Sequence, residues 1–263
     1  MKMIQFKKKP KKICLLLTSC IYPNKDVPFL ELKDSKIRKQ QYLLSIEFFI
    51  KESNIDKIVF CDSSNAKEES YLTNLAKKYN KNFEWISFVG NNSLVNKFGK
   101  GYGEGEIIEY ALRNSILLKK SDYILKITGR MIVKNIDLII KTSCKYDFYC
   151  YPILFNNQNV FLSTKMYIIS KKLYEEYFLN KYNLVRDMEN IYLENIFAKT
   201  VLDNNLKTKV FRIDPDFVGY SGTTGEKLKE YSSFDKIKNT LRIYWYKIKE
   251  IKCRIQNMRK KLV

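Results

Sequence analysis

Along the first half of the chain, short runs of consecutive apolar residues alternate with longer stretches of helical spacing. Ile13–Ser19 and Lys57–Cys61 are short, largely apolar runs and predict strands buried on both faces. Phe83–Phe88 and Tyr123–Ile127, interrupted by Glu84, Ser87 and Lys126, predict a third and a fourth strand. Between them, residues 37–53 place Tyr42, Leu43, Ile46, Phe49 and Ile50 on one helical side. Residues 66–79 read as a second helix. Residues 101–119 read as a third, with Ile107, Ile108, Ala111, Leu112 and Ile116 together. Such alternation predicts a mainly parallel sheet with helices on both faces.

Beyond residue 130 the pattern changes. Residues 147–154 and 160–169 predict strands joined by the polar turn 156–159, and 208–213 predicts another strand. Residues 171–178 and 187–204 predict helices. At the end of the chain Ile237, Leu241, Tyr244, Ile248, Ile251, Ile255, Met258 and Leu262 follow a 4-3-4-3 spacing. That spacing draws one apolar stripe along a helix whose other positions are mostly Lys, Arg or polar. Such a helix lies on an anionic membrane, pairs with a partner helix, or folds back on its own domain. We expect one domain over residues 1–225 and a basic amphipathic tail over 226–263.

Composition narrows the chemistry. The 263 residues are 45% hydrophobic and 29% charged, which suits a packed core and excludes global disorder. The net charge is +20, concentrated at the ends: residues 2–12 hold six lysines and no acid, and residues 234–263 hold ten Lys/Arg against Asp235 and Glu250. Such a chain attracts anionic lipid, phosphorylated substrates or nucleic acid. No nucleic-acid-binding module is apparent, and nucleic acid is not the expected partner. There is no histidine, so triads with a histidine base and histidine metal sites are excluded. Acid–base work falls to carboxylates, Lys, Tyr or Cys. The six cysteines form no C-x-x-C pair and read as buried thiols of a reducing compartment. Leu17-Thr18-Ser19-Cys20 matches a lipoprotein cleavage box, but the preceding apolar run of five residues falls short of the about 7–15 a signal peptide needs. No stretch approaches the ~20 apolar residues of a membrane span.

In an open parallel sheet, ligands bind at the carboxyl ends of the strands. Three such ends carry polar residues: Thr18-Ser19, Asp62-Ser63, and Lys126-Ile127-Thr128-Gly129-Arg130. The stretch 97–106 adds Lys97, Lys100, Gly101, Gly103, Glu104 and Glu106, with four of the nine glycines in 99–105. It is either a phosphate cradle at a helix start or a glycine-rich cap. Its spacing is neither a Walker A loop nor a dinucleotide fingerprint. Tyr167, Tyr174 and Tyr177 have the spacing of core residues, with sugar stacking as the rival role.

Leu15-Leu16-Leu17-Thr18-Ser19, Lys100-Gly101-Tyr102-Gly103-Glu104, Asp122 through Arg130, and Ser221-Gly222-Thr223-Thr224-Gly225 together resemble GT-A-like glycosyltransferases of bacterial capsule and lipopolysaccharide clusters. The resemblance covers about residues 13–225, and Lys-x-Thr-Gly-Arg is its most specific part. It implies a GT-A-like fold, a nucleotide-sugar donor and a lipid-linked or oligosaccharide acceptor at the inner face of the cytoplasmic membrane. Thr128-Gly129-Arg130 stands where most GT-A enzymes carry a metal-binding Asp-x-Asp. Metal-independent transfer is therefore expected, with Arg130 and Lys126 supplying the positive charge. No cofactor is expected, and no metal ligands are assigned. The late Asp214-Pro215-Asp216 reads as a loop.

On this resemblance Thr18, Ser19, Asp62, Lys100, Gly101, Gly103, Glu104, Lys126, Thr128, Gly129 and Arg130 are candidate donor contacts. Ser221 and Thr223 are candidate acceptor contacts. Asp187 and Glu189 are candidate bases, or else the N-cap and first-turn acid of the helix they open. Glu104 and Glu106 are rival bases. Three other readings compete: a polyol or sugar phosphotransferase of the same pathway, a basic nucleic-acid-binding protein, and a non-catalytic scaffold built on the same fold.

Overall fold

The computed structural model describes residues 12–24, 27, 30–143, 145–156, 159–220, 226–228 and 232–260. The strands are β1 (Ile13–Ser19), β2 (Lys57–Asp62), β3 (Asn82–Ser87), β4 (Tyr123–Thr128), β5 (Met131–Val133), β6 (Phe148–Tyr149), β7 (Leu154–Asn156), β8 (Asn159–Phe161), β9 (Met166–Ser170) and β10 (Phe217–Gly219). The helices are α1 (Ser35–Glu52), α2 (Ser70–Lys78), α3 (Asn92–Phe98), α4 (Lys100–Asn114), α5 (Ile116–Lys119), α6 (Ile136–Thr142), α7 (Lys171–Tyr177), α8 (Leu193–Asp203) and α9 (Ser233–Lys260).

Six strands form the central sheet in the order β3-β2-β1-β4-β9-β6. The first four run parallel, and β9 runs antiparallel to both its neighbours. Every residue of β1 after Ile13 is buried, because both faces of the sheet are covered. Cys14 and Leu16 pack with Val59, Cys61 and Ile124 under α4, α7 and α8. Leu15 and Leu17 pack with Ile58, Phe60, Leu125 and Ile127 under α1, α2 and α6. Period-two alternation thus feeds two cores from one uniformly apolar run. The expected mainly parallel α/β sheet with a C-terminal helix is what the chain forms.

Several expected boundaries move. The helix expected at 187–204 begins only at Leu193; Asp187–Glu189 is a single 3₁₀ turn. Asn190, at φ 58°, breaks the chain there in the left-handed conformation that asparagine tolerates. The helix expected at 101–119 splits at Ser115, whose hydroxyl accepts from Leu118 N–H at 3.0 Å and starts α5. The helix expected at 66–79 covers only Ser70–Lys78. Residues 147–154 yield β6 and only the first residue of β7, and 160–169 divides into β8 and β9. Residues 208–213 contribute one bridge, Tyr149 to Lys209, rather than a strand.

The C-terminal helix folds back with its polar side inward. Glu250 Oε2 accepts from Ile153 N–H at 2.8 Å, Lys247 Nζ donates to Thr208 Oγ1 at 3.0 Å, and Asp214 N–H donates to Thr240 Oγ1 at 3.0 Å. Asn239, Ile243 and Glu250 are buried there. The apolar stripe lies about 100° round the helix, one residue on from this docked row. Ile237, Leu241, Tyr244, Ile248, Ile251 and Ile255 are 41–65% exposed. Of the remaining stripe positions, no side-chain placement of Met258 is described, and Leu262 lies outside the described residues.

Candidate active site

A cleft of about 330 Å³ opens at the carboxyl ends of β1 and β4. Thr18 and Ser19 end β1, and Thr128 ends β4, so the topology alone brings them together. Arg130, two residues past β4, forms part of the same wall. Its Nη1 donates to Gln41 Oε1 at 3.0 Å, and its guanidinium stands 5.9 Å from the Tyr42 ring centroid. Burial pulls its pKa down, yet a guanidinium remains a cation at any physiological pH. The Arg38 guanidinium stands 5.8 Å from the same ring centroid, with Nε and Nη2 donating to Cys20 O at 3.0 and 2.6 Å. Two guanidinium groups in one partly dry wall favour an anion.

Gly129 lets this wall close. A side chain there would stand 2.6 Å from Thr18 O, so only glycine allows the β4 end to pass β1. Gly129 N–H donates to that same carbonyl at 3.0 Å.

The opposite wall is α4, with Lys100, Gly101, Gly103, Glu104 and Glu106 all lining the cleft. Its glycines answer the choice between cradle and cap. Gly101 N–H donates to Asp187 Oδ2 at 3.1 Å, so an internal carboxylate occupies the start of α4. A side chain at Gly99, whose φ is +102°, would collide with that carboxylate, and one at Gly105 would collide with Tyr182. The glycines therefore admit Asp187 and Tyr182 against the helix, and this helix start is not an open phosphate cradle.

Carboxylates gather on the floor of the cleft. Asp187 is buried, with Oδ1 facing no hydrogen-bond donor among the described residues. Burial raises its pKa, opposed by the Gly101 N–H. Glu194, in the first turn of α8, also lines the cleft and accepts from Thr164 Oγ1 at 3.0 Å. Its pKa is raised by burial first and by the charge of Glu104 second. Glu106 is raised by burial, and both its oxygens lie 3.2 Å from Asn91 N.

Four expected site residues do not reach the cleft as such. Asp62 is fully buried and organises a loop: its carboxylate accepts from Ser19 Oγ, Ile21 N–H and Ser64 N–H at 2.8 Å, and from Ala66 N–H at 3.2 Å. Lys126 is fully buried beneath the cleft; its ammonium donates to Glu104, to Thr164 O at 2.8 Å and to Thr128 Oγ1 at 3.2 Å. With three donors on three acceptors, it fixes Glu104 and offers a ligand no free donor. Glu189 is exposed and does not line the cleft. Gly129 acts through backbone closeness alone. Ser221 and Thr223 lie outside the described residues. Tyr167 and Tyr174 are buried core residues, and Tyr177 packs against the same core. Arg38 and Glu194 were not anticipated. Glu194 escaped because a helix drawn from Asp187 places it two turns in, not at the N-terminus.

The carboxyl end of β4 offers a hydroxyl, a glycine and a guanidinium, a donor set that does not fit a divalent cation there. Among the described residues, no group of three or more Cys, Asp or Glu is arranged to hold a metal.

No protein-family model matches the chain, and no curated protein matches it. Solved structures of similar fold include the glycosyltransferase GlyE of Streptococcus pneumoniae TIGR4, at 10% identity over 77% of this chain and 45% of that one, TM-score 0.48. A cytidylyltransferase of Leptospira borgpetersenii matches at 11% identity over 94% and 95%, TM-score 0.42. Core-mannan synthase A of Aspergillus fumigatus, in its Mn/GDP form, matches at 8% identity over 86% and 82%, TM-score 0.42.

Proposed function

We propose that the chain is a glycosyltransferase that moves a sugar from a nucleotide-sugar to a glycan acceptor. The observation that carries this is one cleft with guanidinium groups at the strand ends and carboxylates across from them. Arg130, with Arg38 and Lys100, holds the donor diphosphate and stabilises the charge that develops as it leaves. Asp187 Oδ1 takes a hydroxyl of the donor sugar. Glu194 is the base: the acceptor oxygen bonds the anomeric carbon, the bond to diphosphate breaks, and the hydroxyl proton passes to Glu194. Burial and the nearby charge of Glu104 raise its pKa and so make its carboxylate a stronger base. Lys126 positions Glu104 for sugar contact. Glu189, exposed outside the cleft, is replaced by Glu194 in this role.

A melting-temperature panel of UDP, GDP, CMP and their sugars, with Mn²⁺ and with EDTA, tests the reading. One nucleotide should raise the melting temperature, EDTA should not abolish the rise, and Arg130→Ala should. A rise that needs Mn²⁺ would overturn the substitution of guanidinium for metal. A variant that keeps the full rise would remove Arg130 from the site.

The resemblance of the Lys-x-Thr-Gly-Arg element supports a capsule or lipopolysaccharide glycan as product and a cytoplasmic site of action. The outward stripe of α9 supports peripheral seating on anionic lipid. No helix among the described residues is long and apolar enough to cross a membrane. Lys238, Lys249 and Lys252 flank the stripe and are exposed, and each basic group near anionic lipid contributes about 1 kcal/mol. The acid Glu250 is turned inward. A second copy would set basic rows against each other, so lipid is the better occupant. Ile248→Asp should abolish sedimentation with phosphatidylglycerol vesicles and leave the nucleotide response intact. Unchanged sedimentation would refute the seating.

A further inference from the structure

A second cavity, of about 250 Å³, adjoins the main cleft. The two share Met131 and Lys165. Its walls come from distant parts of the chain: Tyr151 ahead of β7, Asp214 and Phe217 around β10, and Asn239 and Arg242 on α9. The cavity has a wall on this side only because α9 folds back over it.

The wall is wired from below. Asp214 Oδ1 accepts from the Tyr151 hydroxyl at 3.3 Å, its carbonyl accepts from Asn135 Nδ2 at 3.0 Å, and its N–H is held by Thr240. Burial pushes the Asp214 carboxyl up to about 6. Asn239 is 9% exposed, and its carboxamide makes no hydrogen bond with the described residues. Asn239 lines the cavity and its amide oxygen and nitrogen are not sealed off, so a ligand there can bond them.

The set has a chemical meaning. A carboxyl, a carboxamide, a guanidinium and a phenol give donors and acceptors in mixed order, which is what vicinal hydroxyls require. Tyr151 and Phe217 add apolar faces against which the C–H side of a ring can pack. Pockets for drug-sized ligands start near about 300 Å³, so this cavity is on the scale of a single ring.

We propose that this cavity is a subsite for one pyranose ring of the acceptor glycan, with Asn239 and Arg242 of α9 as its specificity-determining residues. The proposal rests on reading the main cleft as the site of glycosyl transfer. The junction supports it. Thr164, which donates to Glu194, is followed by Lys165, which lines both cavities. A ring in the second cavity therefore reaches the main cleft on the Glu194 side. Residues of the C-terminal helix, outside the α/β sheet, then read the acceptor.

Saturation-transfer NMR on the full chain tests this, with the methyl glycosides of glucose, galactose, mannose, N-acetylglucosamine and glucuronate as probes. Each is measured alone and with the nucleotide that gives the largest melting shift. At least one glycoside should bind, and the nucleotide should leave it in place. Asn239→Ala and Arg242→Ala should each weaken it by about tenfold, the worth of one polar contact of this kind. Arg242 is exposed, so its replacement spares the fold even if Asn239→Ala loosens α9. Three results overturn the subsite: no glycoside binds, the nucleotide displaces it, or neither variant weakens it. If a nucleotide binds and no glycoside does, the subsite falls and the transfer reading stands. If glycosides bind through Asn239 and no nucleotide binds, the transfer reading falls and the cavity stands as a carbohydrate site.

Discussion

The cleft and the C-terminal helix each contain a buried ion pair, and the two are built in opposite senses. At the cleft the cation is the buried partner: Lys126 is 0% exposed, while its acid Glu104 is 26% open. At α9 the acid is the buried partner: Glu250 is 0% exposed, and its cations Lys247 and Arg254 are 16% and 18% open. The buried member is fully bonded in both cases, to Thr164 O and Thr128 at the cleft and to Ile153 N–H at the helix. What differs is where the open member looks. Glu104 lines a cavity that admits a ligand, whereas Lys247 and Arg254 reach back to Thr208 and Leu206 O on the domain. The same device is a poised site in one place and a fastener in the other.

The comparison can be broken or sharpened by removing each acid. The largest effect is expected for Glu104→Gln, which leaves the Lys126 ammonium buried without a counter-charge. Urea unfolding should show a loss of about 3 kcal/mol. A loss near zero would mean that Thr164 O and Thr128 suffice and that Glu104 is held only for ligands. Glu250→Gln should cost less, about 2 kcal/mol, because both cations can turn to water. Limited proteolysis should then release α9 before the domain unfolds. Global unfolding in one step would make the helix part of the core rather than fastened to it.

A third test reads a slope. Asp214 titrates near 6 in the folded chain against an ordinary 3.8, because burial disfavours its charge. The folded state therefore binds this proton more tightly than the unfolded state. Its contribution to stability is fully present below about 3.8 and is lost as pH rises through about 6. Asp214→Asn should flatten the stability difference across that window, measured against the parent chain. A parallel pair of curves would place the Asp214 carboxyl in water.

Much of the sheet was legible in the sequence. β1 and β2 are almost wholly apolar inside because both faces are covered, β4 departs from this only at Lys126, and a polar residue ends each strand. Thr18, Thr128 and Arg130 followed from those stops, since strand ends in a parallel sheet converge whatever the loops do. Contacts across long separations were not legible. That Asp187 would fill the start of α4, 86 residues away, leaves no periodic trace; only the clustered glycines hinted that something approaches closely. Glu194 was hidden by a boundary set by one left-handed asparagine. The tail carried a further ambiguity. Its docked row (Lys236, Thr240, Ile243, Lys247, Glu250, Arg254) repeats with the same 4-3-4 rhythm as the apolar stripe. Spacing alone cannot say which row turns inward; here hydrogen bonds, not oiliness, decided.

Tyr244 donates its hydroxyl to Arg212 O at 3.3 Å and stays, while the five other apolar side chains of the outward row of α9 can be recoded as a block. A chain with Ser, Gln or Glu at 237, 241, 248, 251 and 255 should keep its sheet and both cavities while shedding the greasy ridge. Such a recoded form would be the natural starting material for crystallisation without detergent.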